Sequence, residues 1–339
     1  MKKRFTALLL VALMLSAAVC ACASKEEDAA GENLPEKTKV VLNEVAHSIF
    51  YAPMYVAIEE GYFQEEGIDL ELVTGFGADK TMTAVLSDSA DIGFMGSEAS
   101  IYTYNEGATD HVVNFAQLTQ RAGNFLVARQ EMPDFTWEDL KGTDVLGGRK
   151  GGMPQMVFEY ILKQNGIDPA KDVAIDQSID FGSTAAAFAE GQADFTVEFE
   201  PGATSLEQEG KGYVVASLGT DSGYVPYTAF SAKQSYLDEN PDVIQGFTNA
   251  LQKGMDFVQA HTPEEIAAVI EPQFKETDLD TITTIVSRYY EQDTWKNNLI
   301  FQEESFDLLQ DILDEAGELT KRAPYADLVT TEFAEKAAR

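Results

Sequence analysis

Hydrophobic and polar positions alternate along this 339-residue chain with the periods of short strands and helices. The clearest stretch is Val40–Leu72. A β-branched run at Val40–Leu42 predicts a strand, and Pro53 marks a first helical turn, where a missing N–H is tolerated. Residues 68–72 alternate apolar and acidic side chains and predict a second, half-buried strand. A strand, a loop and a helix in this order form one wall of a ligand pocket in open α/β proteins.

The same reading extends the pattern over the rest of the chain. The predicted strands are Asp91–Met95, His111–Leu118, Asn124–Arg129, Asp144–Gly148, Val173–Ile175, Asp194–Glu198, Tyr213–Leu218 and Tyr224–Ala232. The predicted helices are Ala78–Ser87, Gly96–Asn105 with Ser97 as N-cap, Met153–Asn165, Pro201–Glu209, Asp280–Glu291, Gln302–Ala316 and Asp327–Ala338. Alternation of strands with helices is typical of parallel sheets with crossover helices.

The order of the elements predicts an α/β fold of two lobes joined by two crossing segments, with a helical C-terminal part. Lobe 1 is expected to be discontinuous, comprising residues 38–123 and 225–339, and lobe 2 to comprise residues 124–224. The crossing segments near Ala122–Ala128 and Tyr224–Ala229 would form a hinge. Lobes joined in this way close around a ligand by hinge motion.

Residues 1–21 have a positive start, an apolar run and small residues, as in a secretory signal peptide. They resemble a bacterial lipoprotein signal, which implies a lipidated N-terminal cysteine. Cys22 fits this role better than Cys20, which directly follows the bulkier Val19. Residues 22–37 are polar and acidic and predict a flexible tether. We therefore expect export and a lipid anchor at the outer face of the cytoplasmic membrane.

The charge of the chain restricts its partners. The formal net charge is −33, and loss of Lys2, Lys3 and Arg4 with the signal takes it to about −36. Such a surface argues against nucleic acid and against docking to anionic lipid. We expect a monomer whose only membrane contact is the lipid.

Four loops should converge on the cleft between the lobes: His47–Pro53, Gly96–Ala99, Arg149–Gln155 and Glu198–Pro201, with Phe181–Ser183 as a fifth. The candidate ligand-binding residues are His47, Phe50, Tyr51, Gly96, Ser97, Glu98, Arg121, Gly152, Met153, Gln155, Phe181, Glu200 and Tyr227. No P-loop or dinucleotide fingerprint is present, and the three histidines are too scattered for a metal motif. We expect no catalytic residue, metal or cofactor.

Two ligand classes remain open from these residues. Helix N-termini at Ser97 and at Gly152–Met153, with Arg121, Arg149 and Lys150 nearby, favour a sulfonate or nitrate. The aromatic side chains of the loops favour stacking on a flat ring, and carboxylates would accept hydrogen bonds from ring and exocyclic nitrogens. Glu200 is the preferred carboxylate in this interpretation, because Glu198 lies at a strand end that solvent reaches.

Several blocks identify the chain with a known family: HSIFYAPMYVAIEEGYFQEEGIDLEL, DIGFMGSEAS, WEDLKG followed by LGGRKGGMPQ, and DFTVEFEP. They resemble the NMT1/THI5-like solute-binding proteins. The resemblance implies a type II periplasmic-binding-protein fold and a receptor that delivers its ligand to an ABC permease with its ATPase. Relatives bind sulfonates, nitrate, bicarbonate, riboflavin or pyrimidine precursors of thiamine.

The resemblance leaves the ligand to the pocket. Sulfonate and nitrate relatives often carry a Gly-Ser pair where this chain has Met153 and Pro154, which favours a nitrogen heteroaromatic such as a thiamine-precursor aminopyrimidine. An alkanesulfonate, taurine, nitrate or riboflavin is the alternative. A pyrimidine-synthase enzyme like the eukaryotic relatives is less favoured, because no cysteine follows Cys22. A ligand sensor that docks on a receptor instead of a permease also fits.

Overall fold

The alternating runs form two five-stranded sheets in a computed structural model of the protein, which describes residues 37–179 and 182–339. The signal peptide, both cysteines, most of the tether and Phe181 lie outside the described residues. The strands are β1 (Thr38–Glu44), β2 (Ile68–Thr74), β3 (Ile92–Gly96), β4 (Val112–Gln117), β5 (Phe125–Ala128), β6 (Asp144–Leu146), β7 (Ala174–Asp176), β8 (Phe195–Glu198), β9 (Tyr213–Ser217) and β10 (Thr228–Lys233).

Sheet 1 has the strand order β2-β1-β3-β10-β4, and sheet 2 has the order β7-β6-β8-β5-β9. Within each sheet three neighbouring strands are parallel. The strand that follows each passage of the chain between the sheets, β5 or β10, is antiparallel to both of its neighbours. The predicted α/β class is confirmed. Sheet 1 draws its strands from residues 38–117 and 228–233, and sheet 2 from residues 125–217.

Helices cover the faces of the sheets and form most of the C-terminal part. They are α1 (Ala52–Glu59), α2 (Tyr62–Glu65), α3 (Ala78–Leu86), α4 (Glu98–Asn105), α5 (Met153–Gln164), α6 (Thr184–Ala189), α7 (Gly202–Gln208), α8 (Leu218–Asp221), α9 (Gln234–Glu239), α10 (Pro241–Ala260), α11 (Pro263–Ile270), α12 (Leu279–Glu291), α13 (Glu303–Glu315), α14 (Tyr325–Leu328) and α15 (Glu332–Ala337). Short 3₁₀ helices cover Ile49–Tyr51, Trp137–Leu140 and Glu271–Gln273. Among the described residues, no helix is long and apolar enough to cross a membrane.

Two predicted elements differ from the structure for identifiable reasons. The last predicted helix is broken between α14 and α15, because Val329 is extended and forms a parallel bridge to Asn114 of β4. The predicted strand at 224–232 begins only at Thr228. Before it, the Val225 N–H bonds to Gln120 O in the other crossing segment, and Pro226 has no N–H to give to a sheet.

The core of sheet 1 is aromatic where β10 enters. Phe230 of β10 stacks on Phe94 of β3 at 4.0 Å between ring centroids, and Phe247 of α10 meets Phe230 edge-on at 5.5 Å. Helix α10 packs its buried apolar side chains, Phe247 among them, against this cluster. The loops that follow β1 and β3 are therefore supported by a packed core.

Candidate functional site

The carboxyl ends of β1, β3, β6 and β8 meet in a cleft between the two sheets, which holds two adjoining cavities. Cavity A, of about 540 Å³, is lined by Val45, Tyr51, Gly77, Ala78, Gly96, Glu98, Arg149, Gly152, Met153, Pro154, Phe199, Tyr227 and Thr228. Cavity B, of about 750 Å³, is lined by Ala46, His47, Ser48, Asn124, Gly148, Pro154, Gly182, Thr184, Ala185, Val197, Glu198, Phe199, Glu200, Pro201 and Gly202. Pro154 and Phe199 line both cavities.

The loops from the two sheets touch each other around these cavities. The Ser48 hydroxyl donates to the Glu200 carbonyl at 2.9 Å, and the Tyr102 hydroxyl donates to the Gly151 carbonyl at 3.1 Å. All four predicted loops contribute to the lining of the cleft. A ligand held here would contact both sheets at once.

Glu98 is the acidic group of cavity A. It lies in the first turn of α4, only 2% of its surface is exposed, and its Oε2 atom has no hydrogen-bond partner within the described part of the chain. Burial raises the pKa of this carboxyl to about 7, against the opposing pull of its own N–H, the Arg149 charge and the Met153 N–H. It is thus a buried acid near half ionisation at neutral pH.

The N-terminus of α5 lies on the opposite side of cavity A. Gly152 is the N-cap and supplies no side-chain hydrogen bond; the Met153 N–H acts on Glu98, and Pro154 at the next position has no N–H to offer. The nearby basic residues are both paired with acids, Arg149 with Asp79 at 3.4 Å and Lys150 with Glu318 at 3.5 Å.

Aromatic rings make the walls of the cleft. Tyr51, Phe199 and Tyr227 line cavity A, and the Tyr227 hydroxyl donates to Asn124 Oδ1 at 2.5 Å. Phe50 lies behind them, fully buried, with its ring 5.1–5.7 Å from the three lining rings. It therefore supports the wall, although the sequence predicted a direct contact.

His47 lines cavity B and is held by neighbouring groups. Its Nδ1 lies 2.9 Å from the buried Glu44 carboxylate, its Nε2 lies 2.9 Å from Gln273 O, and its ring stacks on Phe274 at 4.7 Å. The hydrogen bond to Glu44 raises the pKa of His47 despite partial burial. Since both nitrogens have partners, a ligand meets mainly an edge of the ring.

The hydrogen bonds of Glu198 and Glu200 near cavity B do not support the sequence-based preference for Glu200 as the ligand's acceptor. Glu198 is buried, accepts a hydrogen bond from Thr196 Oγ1 at 2.6 Å, and burial raises its pKa to about 7. Glu200 is fully engaged: it accepts from the Thr204 N–H at 2.8 Å, the Thr204 hydroxyl at 2.9 Å and Arg288 at 2.7 Å. Glu198 and Glu98 thus have more capacity for a ligand than Glu200.

Three further candidates lie outside both cavities. Ser97 is the N-cap residue of α4, as predicted, but it is buried and its side chain makes no capping hydrogen bond. Arg121 lies over the Tyr224 ring at 4.2 Å and donates to Gly219 O at 3.0 Å in the crossing segments. Gln155 accepts from the Gly151 N–H at 2.9 Å and donates to Glu159, so it braces the loop before α5.

Several lining residues were absent from the sequence-based set, among them Val45, Gly77, Ala78, Thr184 and Asn124. Their residue types carry no chemical signal, and only the packing of the loops brings them to the cleft. No group of three His, Cys, Asp or Glu side chains within residues 37–179 and 182–339 is arranged to hold a metal ion.

Comparisons with known proteins agree with this geometry. The family model described as NMT1/THI5 like matches residues 49–266. The chain is 50% identical over 299 residues to YtlA of Bacillus subtilis (strain 168), a protein named as a candidate binding protein; the match covers 88% of this chain and 90% of YtlA.

Two solved structures share the fold at low identity. The periplasmic nitrate-binding protein NrtA from Synechocystis PCC 6803 superposes with a TM-score of 0.73 and 17% identity, covering 90% of this chain and 89% of NrtA. The alkanesulfonate-binding protein SsuA from Xanthomonas axonopodis pv. citri, bound to MOPS, superposes with a TM-score of 0.70 and 16% identity, covering 87% of this chain and 99% of SsuA. The chain therefore belongs to the NMT1/THI5-like family and has a periplasmic-binding-protein fold.

Proposed function

We propose that this protein is an extracytoplasmic receptor that binds a small molecule between its two lobes and delivers it to an ABC importer. The main support is the cleft itself, where loops from two separate sheets line two adjoining cavities. Family membership and the relationship to YtlA agree with this role. No catalytic step is needed.

The favoured ligand class is a nitrogen heteroaromatic, such as an aminopyrimidine. The rings of Tyr51, Phe199 and Tyr227 provide flat apolar surface for a ring system. Glu98 and Glu198 provide acceptors for ring and exocyclic N–H groups. Because each basic residue beside cavity A is already paired with an acid, a free anion gains less here than the sequence suggested.

Native mass spectrometry of the purified protein is the first experiment, since a receptor often retains its ligand. Isothermal titration against aminopyrimidines, riboflavin, alkanesulfonates, taurine and nitrate then ranks the classes. We expect saturable one-to-one binding of an aminopyrimidine. Tighter binding of a sulfonate or nitrate would replace this ligand class, and no binding from any class would remove the receptor proposal in this form.

We further propose export, cleavage before Cys22, lipidation of that cysteine and anchoring at the outer face of the cytoplasmic membrane. The signal-like residues 1–21 and the polar tether support this localisation. Metabolic labelling with a fatty acid should mark the wild-type chain but not Cys22→Ala. Labelling that survives in Cys22→Ala and disappears in Cys20→Ala would move the anchor to Cys20.

The permease partner is tested separately from the ligand. Crosslinking in membranes that contain the permease and its ATPase should capture the liganded monomer. Capture by a sensor kinase in place of the permease would assign the same cleft to signalling.

A further inference from the structure

The positive features on the sheet-2 side of cavity A already face acids of this chain. Helix α5 begins at Met153 without a side-chain cap, and its N–H groups favour an anion. Glu98 faces this terminus, and Asp79 pairs with Arg149 at 3.4 Å. Both acids come from the sheet-1 side of the cleft. The chain thus supplies its own anions where a bound oxyanion would otherwise lie.

The position of Glu98 depends on the residue that precedes it by two places. A Cβ atom added to Gly96 would lie 2.1 Å from Oε2 and 2.6 Å from Oε1 of Glu98. The carboxylate therefore folds back into space that only a glycine leaves open. Its side chain is held at the base of cavity A and does not reach towards solvent.

One oxygen of this carboxylate remains unused. Glu98 is 98% buried, and its Oε2 has no hydrogen-bond partner in the part of the chain that the structure describes. A buried polar atom without a partner lowers stability, because it has lost its hydration and gained no hydrogen bond. The cavity that Glu98 lines is where a ligand N–H group would supply that hydrogen bond.

We propose that Glu98 determines the ligand selectivity of the cleft. When ionised, it occupies the α5 N-terminus as an internal anion, excludes sulfonate and nitrate, and offers Oε2 to an N–H donor of a neutral or cationic ligand. The inference rests on the proposed receptor function. A second anion at the α5 terminus would lie beside Glu98 in a cavity with little water, where like charges repel strongly.

Two substitutions separate the charge of Glu98 from its volume. Glu98→Ser vacates the α5 terminus, whereas Glu98→Gln removes the charge and keeps most of the bulk. Glu138→Gln is the matched control, because it also removes one negative charge, from the ion pair with Lys141 outside both cavities. If anion affinity rose only because the net charge became less negative, it would rise in the control as well.

The measurement is isothermal titration with methanesulfonate and with nitrate at pH 8, after circular dichroism has shown that each variant is folded. We expect no saturable binding to the wild type or to Glu138→Gln. We expect binding to Glu98→Ser that is at least tenfold tighter than to either, and a smaller gain in Glu98→Gln. An aminopyrimidine should bind at least tenfold more weakly to Glu98→Gln than to the wild type.

Equal anion affinity in the wild type and Glu98→Ser, or no anion binding to a folded variant, would overturn the inference. If Glu98→Ser does not fold, Glu98→Gln decides the question by the same criterion. Failure of the receptor proposal looks different: the wild type would then bind no member of the panel. The anion comparison between wild type and variants would still decide the role of Glu98.

Discussion

The buried carboxylate of Glu200 and the partly exposed guanidinium of Arg288 form an ion pair with an O–N distance of 2.7 Å, which joins the loop after β8 to helix α12. Arg288 also pairs with Glu207 at 2.6 Å, and Thr204 donates twice to Glu200. Glu200 therefore anchors helix α7 against the C-terminal part of the chain. Its location beside cavity B follows from this structural role.

Glu200→Gln should lower the free energy of unfolding by about 1.5–3 kcal/mol, the value of a hydrogen bond to a charged group. The cost stays in this range because Arg288 keeps Glu207 as a partner. Urea unfolding measures it, with Glu207→Gln as the more exposed control. A variant of unchanged stability that binds ligand ten times more weakly would return Glu200 to the binding site.

Glu98→Gln should change how stability depends on pH. The pKa of Glu98 is raised from 4.5 to about 7 by burial, so the folded state holds this proton over a range in which the unfolded chain has lost it. Protonated Glu98 therefore makes its whole contribution to the free energy of unfolding below pH 4.5, and this contribution is lost as the pH rises through about 7.

The glutamine side chain cannot ionise, so Glu98→Gln does not lose this stability as the pH rises. Its free energy of unfolding should therefore increase relative to that of the wild type by on the order of 3 kcal/mol between pH 4 and pH 8. Urea unfolding at both pH values checks the difference. Glu198 titrates in the same range, so the wild-type curve should stay steeper than that of either single Gln variant. Parallel curves for wild type and Glu98→Gln would show that Glu98 ionises normally.

His47 should titrate above its ordinary value of 6.5, because the Glu44 hydrogen bond stabilises the imidazolium. The stability contributed by this pair is full below pH 6.5 and is lost as the pH rises through the raised pKa. An NMR titration of the His47 ring measures the pKa directly, and Glu44→Gln should lower it. A His47 pKa that is the same in both proteins would contradict the pairing.

Phe199→Leu should weaken ligand binding by about 0.5–1.5 kcal/mol, the contribution of an aromatic pair beyond its buried area. The ring lies between the two cavities and lines both of them. Titration with the ligand found by native mass spectrometry measures the change. Tyr213→Leu, on the exposed part of β9, is the control and should bind like the wild type. Equal affinities for all three proteins would exclude stacking on Phe199.

The sequence was sufficient for most strands and helices, because alternation and helical spacing are local signals. The break at Val329 depends on Asn114, which is far away in sequence, so no local pattern predicts it. The site likewise combines features that have a local sequence signal with features that depend on residues far away in sequence. The four loops lie around one cleft, as the alternating elements led us to expect, whereas the choice between Glu198 and Glu200 needed the position of Arg288.

Arg121 was predicted to contact the ligand, but in the structure its side chain has other partners. Its charge near a crossing segment suggested an anion contact, but the exposed Tyr224 ring and the Gly219 carbonyl hold it in the other direction. Both groups follow it by about a hundred residues of chain. Residue type thus indicated the chemistry of the cleft, and only the tertiary packing determined which side chains are free to use it.

The insertion of β10 between β3 and β4 has a consequence for the folding of the nascent chain. β4 has β10 as its one sheet neighbour among the described strands, so sheet 1 stays incomplete until residue 233 has been synthesised. Sheet 2 draws all its strands from the continuous stretch 125–217. Because contacts close in sequence form faster, sheet 2 should form first and sheet 1 should set the folding rate. Until then, the apolar edges of β3 and β4 would be the segments that a chaperone protects.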